Sequence, residues 1–138
     1  MSNVYLLDAN AVLAYFGGEP GAEKIRSLLI RAQNGNSSLY MHAINAYEVY
    51  YQFYRDKGEA EAQKVWNDIN DLPLTILYNL SDDHIRAAGR IKAEFSLSVA
   101  DSFLLAQAHL TSAKVVTSDH HELDAVDQAG FIEFYWYR

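Results

Sequence analysis

Five short apolar runs, separated by stretches with helical periodicity, constrain the fold more than any other feature of this sequence. They are Val4–Leu7, Leu39–His42, Pro73–Leu77, Lys114–Thr117 and Phe131–Trp136. Strands joined through helices need crossover connections, so the sheet they form is largely parallel with helices on both faces. The expectation is an α/β protein, a three-layer α/β/α sandwich around a mostly parallel sheet. Between the strands, Asn10 caps a helix through Phe16 that Gly17-Gly18 closes, and Pro20 opens a second helix running to Asn34-Gly35. Ile44–Lys57 and Glu59–Asn70 read as a third and fourth helix, and Ser81 caps a fifth to about Phe95. Ala100–Ser112 is a strongly apolar sixth, and a short one covers His121–Gln128 before Gly130. No repeat, low-complexity tract or linker interrupts the pattern, and 138 residues suit a single domain over 1–138.

The first run ends on Asp8-Ala9-Asn10, which puts a carboxylate at the carboxyl end of a central strand, where open α/β sheets gather their ligands. Three further acids stand out: Glu48 in the third helix, Asp101 opening the sixth, and Asp119 after the fourth strand. Each has a structural alternative. Ser98–Asp101, Asp119–Glu122 and Asn45–Glu48 all have the spacing of a capping box, in which the third helical residue bonds back to the cap. Convergence is the other reading, because two of the acids follow strands and a third opens a helix near the same sheet edge. Glu48 shares a helical face with Ile44, Tyr51 and Arg55 among mostly apolar neighbours, and an inward charge there is costly unless paired. Carboxylates within a few ångströms repel one another, and a cation with a taste for oxygen, Mg²⁺ or Mn²⁺, would relieve the strain.

Eighteen acidic against eleven basic residues give a net charge of −7, so binding a polyanion requires cations to offset part of it. The absence of cysteine excludes disulfides and thiolate zinc sites and makes a reducing cytoplasm the expected location. No apolar run approaches the roughly 18 residues that span a bilayer, so no membrane association is expected.

Leu7-Asp8-Ala9-Asn10, then Glu48 inside a helix, then Ala100-Asp101-Ser102-Phe103-Leu104-Leu105-Ala106, then Val116-Thr117-Ser118-Asp119 together resemble the PIN domain in type, order and spacing, and the VapC-type toxins in size. The likeness covers essentially the whole chain. It implies a metal-dependent ribonuclease, the toxin of a toxin–antitoxin pair, with RNA as substrate, an antitoxin as partner and a homodimer as assembly. Asp8, Glu48, Asp101 and Asp119 fall on the family's acidic positions, and Asn10 and Thr117 on its supporting polar ones. By that resemblance Asp8 and Asp101 hold the principal metal, Asp119 completes the shell or holds a second ion, and Glu48 orients or deprotonates water. Glu122 and Asp124 compete for a further acidic position.

Other features have weaker claims. Tyr47, Tyr50, Tyr51 and Tyr54 recur at helical spacing with Phe53 beside them, as core plus protein interface or as a platform for bases. His120-His121 could suggest zinc, but adjacent helical residues point apart. Arg86, Arg90 and Lys92 could follow a phosphate backbone or simply face solvent. Two other functions compete: a non-enzymatic PIN-like or receiver-like interaction module, and an aspartyl phosphotransferase. The latter also uses an aspartate after the first strand, but Asn10 stands where its second acid would be.

Overall fold

A computed structural model describes residues 3–138. Five strands, β1 (Val4–Leu7), β2 (Ser38–His42), β3 (Thr75–Leu77), β4 (Lys114–Thr117) and β5 (Phe134–Trp136), form one sheet in the order β3-β2-β1-β4-β5. Every pairing is parallel. Side chains alternate across β1: Tyr5 and Leu7 enter one core layer and Leu6 the other. The first layer is closed by α1 (Ala9–Gly17), α2 (Ala22–Gln33), α3 (Ala43–Lys57) and α4 (Glu59–Asp71), through Val12, Ile25, Leu28, Val49 and Ile69. The second is closed by α5 (Asp82–Glu94), α6 (Val99–Thr111) and α7 (His120–Ala129), through Ile91, Leu104, Leu105, Leu123 and Val126. Each fully buried aliphatic side chain of this kind contributes roughly 1.5–3 kcal/mol. The architecture is the three-layer α/β/α sandwich.

The chain steps outward from β1 through β2 to β3, then returns to lay β4 on the other side of β1. Connections leaving β1 and β4 therefore diverge, opening a crevice at their carboxyl ends. The backbone N–H of Asp8 still donates to Val116 O at 3.2 Å, so the first residue beyond β1 remains tied to β4.

Several element ends differ from expectation for identifiable reasons. Asp8, not Asn10, caps α1, accepting from the Ala11 N–H, so Asn10 becomes an exposed helical residue. Pro20 does not open α2; the helix starts after Gly21, whose φ is +90° and which presses on Tyr137. A Cβ there would lie 2.5 Å from Tyr137 O and 2.7 Å from its ring, so only glycine fits. β3 begins at Thr75 rather than Pro73, and β5 at Phe134 rather than Phe131. Asn45 caps nothing: α3 is capped by His42, whose Nδ1 accepts from the Ile44 N–H at 3.2 Å, and Asn45 lies buried inside the helix. No helix among the described residues is long and apolar enough to cross a membrane.

Candidate functional site

Three segments meeting at the crevice, with α3 beside them, deliver the acidic side chains. Asp8 is only 3% exposed, and its carboxylate is held twice: Oδ1 accepts from the Ala11 N–H at 2.7 Å and Oδ2 from the Thr117 hydroxyl at 2.5 Å. Burial pushes its pKa up to about 7, against the lowering effect of those hydrogen bonds, and the negative charges of Asp119 and Glu48 add to the rise.

Asp101 sits in the first turn of α6, where Ser98 Oγ accepts from its N–H at 3.1 Å. Its pKa is raised to about 8, first by burial, then by a hydrogen bond with Glu122, and then by the charges of Glu122, Asp8 and Asp119. Two carboxyl groups can share a hydrogen bond only when one is protonated, so this pair holds a proton or needs another cation. Asp119 caps α7: its Oδ1 accepts from the Glu122 N–H at 3.2 Å while its own N–H donates to Thr117 Oγ1 at 3.1 Å. Thr117 thus holds both Asp8 and the Asp119 backbone.

Ligand oxygens of Asp101, Asp119 and Glu122 all lie within 4.8 Å of one another. With Asp8 and Glu48 they line one cleft of about 190 Å³, together with Asn10, Gln52 and Ser98. Glu48 is half-buried, and burial raises its pKa; Asn45, one turn earlier, partly offsets this, and the Glu122 charge adds to it. The Asn45 amide approaches that carboxylate without meeting full hydrogen-bond geometry, and both its polar atoms are otherwise unpartnered. A larger hollow of about 400 Å³, among Leu13, Phe16, Phe53 and Val65, touches the cleft at Gln52 but contains none of the converging acids. The converging acids belong to the smaller space.

All four acids singled out in the sequence therefore reach one cleft, with Asn10 beside them and Thr117 buried behind. Of the two further candidates, the structure brings in Glu122 and leaves out Asp124, which is exposed and paired with His120 Nδ1 at 2.8 Å. Sequence reading passed over Gln52 and took Ser98 as a helix cap alone. Gln52 stands one helical turn after Glu48, a spacing that signals a shared face, and Ser98 is the α6 cap itself.

The remaining features separate cleanly. His120 is committed to Asp124 and to Arg138 O at 2.9 Å, and among the described residues the metal-competent group consists of carboxylates alone. Arg86 pairs with Asp83 at 3.7 Å and Lys92 Nζ donates to Leu97 O, so α5 shows a solvated charged face. Tyr47, Tyr51 and Tyr54 are exposed, while Tyr50 meets Trp66 edge-on and Phe53 packs against the core.

A donor set of hard carboxylate oxygens from Asp101, Asp119 and Glu122 suits a hard divalent cation better than a soft or nitrogen-preferring metal.

The sequence model of the PIN domain matches residues 5–129. No curated protein sequence matches the chain significantly. Among solved structures, VapBC2 from Rickettsia felis bound to a promoter DNA fragment superposes with a TM-score of 0.75 at 16% identity, over 96% of this chain and 98% of that one. DNA-bound VapBC from Salmonella typhimurium gives 0.72 at 16% identity over the full length of both chains. The Mycobacterium tuberculosis toxin VapC20, which cleaves the sarcin-ricin loop, gives 0.65 at 13% identity over 94% of this chain and 97% of that one. At such identities these likenesses speak for the fold.

Proposed function

The chain belongs to the PIN domain family, and from that premise we propose that it is a divalent-metal-dependent endoribonuclease and the toxin of a toxin–antitoxin pair. The observation that carries the reading is the meeting of Asp101, Asp119 and Glu122 within 4.8 Å, beside a buried Asp8, in a chain of net charge −7. Ionised together, these carboxylates repel one another, and a divalent cation offsets that repulsion. Asp101, Asp119 and Glu122 would hold Mg²⁺ or Mn²⁺, with Asp8 contributing from the floor.

A bound divalent ion would supply Lewis acidity, offsetting charge that builds on the phosphate and making water a competent nucleophile near neutral pH. The protein's own groups do the rest. Thr117 keeps Asp8 in one rotamer, because its hydroxyl fixes one carboxylate oxygen while the α1 backbone fixes the other. Glu48, outside the tight group of three and raised in pKa, is suited to orient water and accept its proton. Asn10, Gln52 and Ser98 offer neutral hydrogen-bonding groups for phosphate or ribose oxygens.

The antitoxin as partner, a homodimer and a cytoplasmic setting belong to the same proposal. They are supported by the VapBC complexes that share the fold, by the exposed tyrosines of α3, and by the lack of cysteine. The test is cleavage of single-stranded RNA with Mg²⁺ or Mn²⁺. Activity that vanishes with chelator and in Asp101→Asn is expected; undiminished cleavage in excess chelator would refute the reading.

A further inference from the structure

The acids of the cleft are carried on segments that their own charges push apart, and the residues at and after β5 hold one of these segments, the turn from β4 into α7, in place. Tyr137 is 1% exposed, and its N–H donates to Thr117 O at 3.2 Å, continuing the β4–β5 pairing one step past Trp136. Its phenolic oxygen accepts from Ser118 Oγ at 3.0 Å. Arg138 adds a guanidinium N–H to the same Ser118 oxygen at 3.4 Å and reaches Pro20 O at 3.2 Å. Its carbonyl receives His120 Nε2, and the His120 ring lies flat on Trp136 with centroids 3.9 Å apart. Residues 136–138 therefore pair with, bond to or stack on Thr117, Ser118 and His120, while the Asp119 side chain caps α7 and lines the cleft.

We propose that Tyr137, acting through Ser118, is a positioning residue that clasps the segment carrying Asp119 and Glu122 in the cleft against the repulsion of the neighbouring carboxylates. This rests on the metal-nuclease reading for its consequence and on hydrogen bonds for its mechanism. Ser118 lies between Thr117, which fixes Asp8, and Asp119, which caps the helix bearing Glu122. A shift of the Ser118 backbone thus moves Asp119 and Glu122 relative to Asp101 and disturbs the bond from Thr117 to Asp8. The Tyr137 ring is anchored independently, because it fills the core layer of α1 and α2 and abuts Gly21 so closely that no side chain fits there. A rigid ring with a single polar handle can hold a loop where a flexible side chain cannot.

Tyr137→Phe removes the handle and keeps the ring. Mn²⁺ binding, measured by electron paramagnetic resonance on the intact chain, is expected to weaken about tenfold, the scale of losing an outer-shell partner. The melting temperature of the metal-free protein should stay close to wild type. With RNA as substrate, kcat should fall while KM holds, and amide exchange of residues 118–122 should quicken. Ser118→Ala, which loses the Arg138 contact as well, should weaken binding at least as much, and adding Tyr137→Phe to it should cost nothing further, since the Tyr137 link is already cut. Wild-type Mn²⁺ affinity in Tyr137→Phe, or fully additive effects of the two substitutions, would overturn the proposal. If the wild-type protein takes up no Mn²⁺, the nuclease reading fails, and amide exchange alone decides the clasp: unchanged protection of residues 118–122 would refute it.

Discussion

Thr117 and Asp8, 109 residues apart in the chain, are joined by a hydrogen bond of 2.5 Å inside the protein, and the same hydroxyl oxygen receives the Asp119 N–H. One side chain thus spans β1, β4 and the start of α7, which makes it the joint on which the cleft turns. Thr117→Val keeps the shape and removes both bonds. An orphaned buried carboxylate oxygen costs about 1–3 kcal/mol, more when charged. The hydrogen bond favours the ionised form of Asp8, so the stability loss in urea titrations should be greater at pH 8 than at pH 5. Equal losses at the two pH values would show that Asp8 does not ionise as described.

Glu122 and Asp124 differ by two residues on one helix but face different surroundings. Glu122→Gln should abolish the rise in melting temperature that Mn²⁺ gives, because its oxygen is one of three within 4.8 Å. Asp124→Asn should leave that rise intact, costing only the exposed contact with His120. Thermal shift with and without Mn²⁺ reads both, and a shared loss would place Asp124 in the cleft after all.

The difference between those two acids marks where sequence reasoning stopped. Asp8, Asp101 and Asp119 were legible because each terminates or begins an element whose direction the strand–helix alternation fixes. Glu122 was ambiguous because its position depends on how α7 is rotated about its axis, and that is set by Leu123 and Val126 packing into the second core layer. The capping-box spacing from Asp119 to Glu122 did contain the answer. A third-position acid beside its cap lies near the helix start, so capping and cleft lining here are one geometry. The error at Asn45 runs the other way. Its capping-box spacing was an accident of composition, since His42 caps α3 through Nδ1 and donates from Nε2 to Asn79 O, a contact 37 residues away that no local pattern encodes.

Glu48 should separate chemistry from metal uptake. It lines the cleft but stands outside the compact group of Asp101, Asp119 and Glu122. Glu48→Gln is expected to lower kcat for RNA cleavage about a hundredfold or more, the usual scale for a lost general base, while Mn²⁺ affinity changes little. Loss of Mn²⁺ binding in parallel with activity would make Glu48 a ligand.

The pH dependence of stability follows from the same carboxylates. Asp8 and Asp101 are raised to about 7 and about 8, so between the ordinary carboxylate range and those values the folded protein holds protons that the unfolded chain has released. Stability of the metal-free protein should therefore fall as pH rises through that window and level off above it. His42 acts oppositely: burial lowers its pKa, so it adds stability as pH rises, but only up to its unfolded value near 6.5. Between about pH 6.5 and 8 the carboxylates act without that opposition, and the melting temperature should drop. Mn²⁺ competes with the protons for the same oxygens, so the stabilisation it gives should be larger at pH 8 than at pH 6.5 and should flatten the profile. Asp101→Asn removes the coupled proton and should flatten the metal-free profile while abolishing the Mn²⁺ response. A metal-free melting temperature that rises steadily from pH 6.5 to 8 would contradict the shared burial of these acids. A calorimetric scan series at the two pH values, with and without Mn²⁺, decides between them.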